Sequence, residues 1–420
     1  MIKSFLSFFL IFLTLYTAAQ PKDRYTLLKP ARVFDGEAMH TDWIVVVKND
    51  SIMAAGNMSF KLPEGTEVIE LPGCTLLPGF IEGHSHLFLH PYNETTWDDQ
   101  VLKESRAERI ARAVNHAKAT LLAGFTTVRD LGTEGAYYDD AGLKSAINKG
   151  LIPGPRMIVA TRAIVATGTY GPEFDNPDVD LPQGAAEVSS TEEMIREVRM
   201  QIGKGADLIK IYADYRYGKD GEAQASFLTE SIAQAVAIAR SSGRLVVAHA
   251  STPEGMTRAT NAGVSTIEHG DDGTEEVFRQ MKAKGVAFCA TLAASDAVAQ
   301  YRGWRKGTDP EPANLLQKRK SFALALKTGV TICMGGDVGV YTHGDNAREM
   351  EMMVDYGMKP LDVLRSATSI NATVFGYSDR IGRIRKGLLA DIVVVEGDPS
   401  VDIKHCRKIK LVMKSGIIYK

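Results

Sequence analysis

The sequence predicts an α/β chain: a TIM-type (β/α)8 barrel with a small β-sandwich domain built from both chain ends. Three observations predict it. First, helical stretches that end in glycine and run straight into a short apolar segment recur, as in "LLAGFTTVRDL", "IGKGADLIKIYA", "RSSGRLVVAHA", "TNAGVSTIEHG", "KAKGVAFCATL" and "LKTGVTICMGGD". Glycine closing a helix ahead of a strand is αβ-loop chemistry. Second, the apolar segments are near-continuous rather than alternating, which suits parallel strands buried on both faces. Third, the two flanks alternate and are rich in turns, as short antiparallel strands are.

Taken in order, residues 1–19 begin with one lysine, continue with an apolar run from Phe5 to Leu15, and end in small residues that include Thr17 and Ala19. That is the order of a secretory signal peptide, and the run is short for a membrane span. Cleavage before Gln20 would export the chain, to a periplasmic or secreted location, without membrane attachment. Residues 20–76 carry the first part of the β-domain, 77–380 the barrel, and 381–420 the second part of the β-domain. Eight barrel strands are expected near 77–86, 126–131, 156–164, 208–213, 244–250, 266–270, 287–294 and 331–337. Helices lie between them. Met194, Val198 and Ile202 recur at helical spacing, with Ser190 and Glu193 as a capping-box signature ahead of them. Ile232, Ala235, Val236 and Ala239 make another apolar stripe. A doubly wound sheet is the alternative, but no glycine-rich phosphate loop follows the first strand.

The 420 residues carry a formal charge of −2, which favours neither nucleic acid nor an anionic membrane as partner. Cys74, Cys289, Cys333 and Cys406 form no CxxC pair, and two lie inside apolar runs. Buried free thiols are the expectation, not a zinc–cysteine site.

The chemistry concentrates at the predicted C-terminal strand ends, where the active sites of such barrels sit. In "PGFIEGHSH", His84 and His86 are two apart and share one face of a strand. Alone, the pair fits a core or surface role as well as a ligand pair. His249 then ends "RLVVAHA", His269 ends "STIEHG" and Asp337 ends "TICMGGD". Imidazole nitrogens and a carboxylate are the ligands of catalytic Zn²⁺, and five such residues at one end point to a metal site. Lys210 sits inside the apolar "GADLIKIYAD". It reads either as a snorkelling or salt-bridged lysine or, after carboxylation by CO₂, as an anion able to bridge two metals.

With "LLPGFIEGHSHL", "GFTTVRDLG", "GADLIKIY", "VVAHA", "GVSTIEHG", "MGGD" and "GLLADIVVVEGDP" in this order, the chain resembles the amidohydrolase superfamily from about Tyr25 to Lys420. It is most similar to the imidazolonepropionase-like branch that includes prolidase-like Xaa-Pro and Xaa-Arg/Lys dipeptidases. The resemblance implies two divalent ions, Zn²⁺ by default. His84, His86 and Asp337 would bind one, His249 and His269 the other, and N-carboxylated Lys210 would bridge them. It implies hydrolysis of an amide or peptide bond in a dipeptide or N-acyl amino acid by a hydroxide held between the ions, with Asp337 as proton shuttle. A cyclic amide, an imidazolone-like ring or a xenobiotic amide or ester is the alternative substrate. An inactive binding barrel is the alternative of another class. Analogy with relatives also leaves a homo-oligomer open.

Four further residues are candidate substrate contacts. Tyr170 stands where many relatives have a loop histidine, and could donate to a substrate oxyanion. Ser251 stands where related dipeptidases have Tyr or His. Arg216, in "YADYRYGKDG", could grip a carboxylate, and His343 follows Asp337 closely. Ordinary loop roles are the alternative for each. Arg129 and Asp130 are expected to form a structural ion pair.

Overall fold

The computed structural model describes residues 23–57, 62–173, 175–176 and 178–420. The expected signal peptide lies outside them. No helix among the described residues is long and apolar enough to cross a membrane.

The chain ends meet in one eight-stranded mixed sheet. Its central strand, Glu67–Pro78, pairs parallel with Tyr25–Phe34 and antiparallel with Ile392–Glu396. The segment "IVVV" of that last strand is apolar at every position because both of its faces are covered. Ile392 and Val394 point into a core shared with Leu28, Val33, Val45, Leu76 and Met413. Val393 and Val395, one residue out of phase, point instead at the barrel's core with Phe34 and Leu77.

The barrel strands are Phe80–Ser85, Phe125–Asp130, Arg156–Val159, Leu208–Tyr212, Leu245–Ala250, Thr266–His269, Ala287–Cys289 and Ile332–Cys333. Consecutive members pair in parallel. Two joints close the ring. Asp207 donates its amide to the Val159 carbonyl at 2.8 Å, linking the third and fourth strands. Ser85 bridges to Val338, and Asp337 donates its amide to the His84 carbonyl at 2.8 Å, linking the eighth to the first.

The last two strands are shorter than the apolar runs suggest. The expected 287–294 strand stops at Cys289. Thr291 takes a left-handed backbone (φ 51°), and a buried helix, Leu292–Tyr301, begins at once. The Glu349 carboxylate accepts from the first amides of that helix, Leu292 and Ala293, at 3.1 and 2.7 Å. A continuous apolar run does not distinguish a buried strand from a buried helix. The expected 331–337 strand stops at Cys333 because the chain then presses against the first strand. A Cβ on Gly335 would lie 2.6 Å from Cys289 Sγ and 2.7 Å from the His84 nitrogen, so only glycine fits there. The third strand is also shorter, and Ile164–Ala166 pairs separately with Ala186–Val188 at the barrel mouth. Ser190 caps its helix as expected, accepting from the Glu193 amide at 3.2 Å, while Glu193 reaches one residue further back, to the Ser189 amide. All four cysteines are buried and free.

Candidate metal centre and active site

The strand ends bring His84, His86, Lys210, His249, His269 and Asp337 together at one mouth of the barrel. His84 Nδ1 donates to the Glu268 carboxylate at 2.9 Å, and His86 Nδ1 donates to the Gly132 carbonyl at 2.8 Å. These bonds fix both rings so that each Nε2 turns to the centre. There Asp337 Oδ1 lies 3.6 Å from His84 Nε2 and 3.3 Å from His86 Nε2. One donor atom from each of the three residues falls within 4.8 Å of the others.

The second group faces the first. The His269 ring centroid is 4.9 Å from that of His84 and 4.4 Å from that of His249. His269 Nδ1 bonds Thr291 Oγ1 at 2.8 Å. His249 lies flat on Tyr212 at 4.4 Å, and its buried Nδ1 has no hydrogen-bond partner among the described residues. Lys210 is wholly buried, and its Nζ has no hydrogen-bond partner among the described residues. Two orphaned nitrogens this deep are costly unless something binds them. His269 (φ 76°) and Asp337 (φ 62°) both hold left-handed backbone, a strain that non-glycine residues concentrate at functional sites.

Electrostatics favour the neutral ligand form at three of the four histidines, His84, His249 and His269. Burial, reinforced by the Lys210 charge, pushes His84 down to about 4 and His249 down to about 3. Burial and the neighbouring histidines push His269 well below its ordinary value. These rings are neutral, with a lone pair to offer. Burial opposes a charge on His86, but the Asp337 hydrogen bond and carboxylate outweigh it and lift His86 to about 9. Burial likewise opposes the Asp337 charge, yet His84, His86 and Lys210 hold its carboxyl well below the usual range. Burial outweighs the attraction of Glu268 and Asp337 and lowers Lys210 to about 8. Four imidazoles, an ionised carboxylate and an amine with a weakened hold on its proton fit divalent cations.

Beneath the centre, the expected Arg129–Asp130 pair does not form. Asp130 accepts from the Leu87 amide at 2.9 Å. Arg129 donates to Glu268 at 2.8 Å and to the Gly83 carbonyl at 2.5 Å, and stacks on Phe375 at 4.1 Å. Alternation along the second strand puts these neighbours on opposite faces. Glu268 therefore links Arg129 to His84. Glu82 acts similarly on the main chain, accepting from the His84 and Gly336 amides at 3.0 and 2.9 Å. Replacing Arg129 by methionine leaves the buried Glu268 charge without its cation, held only by the His84 ring and the Thr266 hydroxyl. Folding stability should fall by about 3–5 kcal/mol, read as a lower thermal midpoint; an unchanged midpoint would contradict the pairing.

A model of the amidohydrolase family matches residues 75–418. The chain belongs to the amidohydrolase family. It is a hydrolase acting on carbon–nitrogen bonds. Ochratoxinase of Aspergillus niger is 30% identical over 377 residues, covering 82% of this chain and 75% of that protein. The crystal structure of A. niger ochratoxinase matches with a TM-score of 0.80 at 25% identity, covering 95% of this chain and 96% of that one. A crystal structure of a Xaa-Pro dipeptidase with methionine bound in its active site matches with a TM-score of 0.82 at 29% identity, covering 94% of this chain and all of that one.

Above the centre of this amidohydrolase lies an inner cavity of about 270 Å³, walled by Tyr92, Tyr170, Tyr212 and Tyr215, with His86, His249, His269, Glu134 and Asp337 at its base. It adjoins an outer groove of about 750 Å³ that shares Tyr92, Tyr170 and Tyr215 and adds Trp97, Arg216 and Arg302. Tyr170 thus faces both spaces, and its hydroxyl donates to Glu134. Arg216 reaches only the outer groove, in an exposed pair with Glu173 at 3.0 Å. Ser251 and His343 line neither of these two spaces. The Ser251 hydroxyl donates to Asp271 at 3.0 Å. His343 is buried against His116 (4.2 Å) and donates to the Leu89 carbonyl at 2.9 Å.

Sequence reasoning missed Glu82, Glu268, Glu134, Tyr92 and Tyr212. A signal existed for two of them. In "FIEGHSH" and "STIEHG" a glutamate sits inside an apolar strand, two and one residues before a strand-end histidine. A buried charge at such a place needs a partner.

Proposed function

We propose that this chain is an exported, binuclear metal-dependent amidohydrolase that cleaves the amide or peptide bond of a small substrate, a dipeptide or an N-acyl amino acid. The observation that carries the reading is the buried, unpartnered Nζ of Lys210 beside four histidines and Asp337. An ammonium there would repel cations. As a neutral amine, Lys210 can add CO₂ and release a proton, becoming a carbamate whose two oxygens can reach two ions. His84, His86 and Asp337 would hold one ion and His249 and His269 the other, with Lys210 between them. Divalent ions bound there would polarise the scissile carbonyl and lower the pKa of water.

The chain's own residues supply the rest. Asp337, held ionised, accepts the proton of the attacking water and returns it to the leaving nitrogen. The Glu268 and Gly132 bonds keep His84 and His86 oriented. The tyrosine walls narrow the cavity above these groups. The Xaa-Pro dipeptidase and ochratoxinase names of the relatives support hydrolysis of such bonds. The amino-terminal segment supports export, and N-terminal sequencing of the mature protein should begin at Gln20.

Two measurements test the reading. Elemental analysis of the purified protein should find about two divalent ions per chain. One ion would favour a mononuclear, ring-opening hydrolase. A library of dipeptides and N-acyl amino acids should contain substrates of the metal-loaded enzyme. Turnover of lactams or aryl esters alone would overturn the substrate class.

A further inference from the structure

A buried lysine stands behind the His249–His269 side of the centre, where an ammonium is a poor neighbour for a divalent ion. Helix Ala313–Thr328 carries Lys318, only 3% exposed. Its Nζ donates to Asp271 Oδ1 at 2.5 Å and to Thr291 Oγ1 at 3.5 Å. Asp271 balances the ammonium and also accepts from Ser251 Oγ at 3.0 Å. Three residues further along the helix, and so on the same face, the buried Ser321 Oγ donates to the Gly270 carbonyl at 2.6 Å. Gly270 and Asp271 are the two residues that follow His269. One helix face thus holds the chain as it leaves that histidine.

What it holds is a strained turn. His269 (φ 76°), Gly270 (φ 55°) and Thr291 (φ 51°) are all left-handed. Thr291 is the extreme case, because its branched β-carbon crowds that conformation. Such backbone persists only where its neighbours over-determine it. The conformation places Thr291 Oγ1 2.8 Å from His269 Nδ1. That oxygen has two lone pairs, one for the Lys318 ammonium and one for a proton on His269 Nδ1. Nε2 is then the nitrogen that His269 offers to an ion. Thr291 also lines the inner cavity, so the same contacts fix one wall of the substrate space.

We propose that Lys318 is a positioning residue: with Ser321 it clamps the His269–Asp271 turn and the Thr291 hydroxyl, and so sets how tightly the His249–His269 side holds its ion. The proposal rests on the binuclear reading and goes beyond it, since Lys318 belongs to neither the ligand set nor the cavity wall. Charge alone predicts the opposite effect. An ammonium repels a nearby cation, so losing it, with Asp271 left ionised, would tighten binding. Substitution therefore separates the two roles by sign.

The test is a calorimetric titration of the metal-free protein with Zn²⁺, which needs no turnover. Wild type should take up two ions. In Lys318→Met, similar in length but without donors, one ion should bind about 10–100-fold more weakly, the range for loss of a group that supports a ligand, and the other should be unchanged. Thr291→Val should weaken the same ion, and Thr291→Ser, which keeps the hydroxyl, should hold it as wild type does. Lys318→Met and Thr291→Val together should cost little more than the larger single loss, because both act through one bond to His269. Lys318→Gln, a donor of shorter reach, should fall between wild type and Lys318→Met, and carries the test if the methionine variant does not fold. Tighter binding in the Lys318 variants, unchanged affinities with only a lower thermal midpoint, or fully additive losses would overturn the clamp and leave the binuclear reading standing. A wild-type protein that takes up one ion alone would overturn both.

Discussion

Lys210→Ala is expected to lower kcat/KM on the order of 10³-fold or more and to leave the protein with fewer than two ions per chain. The Lys210 Nζ has no hydrogen-bond partner among the described residues, and burial already weakens its hold on a proton. If the side chain were a structural ammonium serving Glu268 and Asp337, removing its charge would unbalance those acids but leave the histidines able to bind metal. If it is carboxylated, its removal deletes two ligand oxygens at once. Three readouts separate the cases. Metal content should fall with Lys210→Ala. Short carboxylic acids such as acetate should restore part of the activity, because they return the missing oxygens to the hole that alanine leaves. Lys210→Met, similar in volume, should fold as well as wild type and be as inactive as the alanine variant. A methionine variant with full activity and two ions would end the bridging-lysine reading.

The barrel was legible because its strands are apolar on both faces and its helices end in glycine, and both patterns are local. Strand ends were less legible. In "VAFCATLAA" nothing local announces that Thr291 turns left-handed, because the deciding contacts come from Glu349, more than fifty residues away. The same division runs through the site. His84, His86, His249, His269 and Asp337 could be collected from sequence because each ends a recognisable strand. Glu268 could not be assigned its partners, since Arg129 lies four strands back and alternation alone does not say which acid a buried arginine meets. Tyr170 was found without its partner. Its neighbour Glu134 sits in the loop after the second strand, and only the fold shows that the hydroxyl proton is already taken.

Asp337→Asn is expected to lower kcat by about 10²–10⁴-fold, the range for loss of a proton-transfer group, with much less effect on KM. The substitution is the right one for a backbone reason. Asp337 sits at φ 62°, and asparagine is among the few residues that tolerate the left-handed region. Alanine there would add strain at the joint where the Asp337 amide bonds the His84 carbonyl, and would confuse misfolding with lost chemistry. Asparagine keeps one oxygen that can still face His84 and His86 but cannot accept a proton at neutral pH. The two roles assigned to Asp337 then separate. If metal content holds near two ions while kcat falls, the carboxylate is needed for the proton and the amide oxygen suffices for the ion. If the ions leave as well, the carboxylate charge that balances His86 is also what holds them. Full activity with both ions present would show that another group carries the proton, and the shuttle would have to be sought elsewhere in the inner cavity.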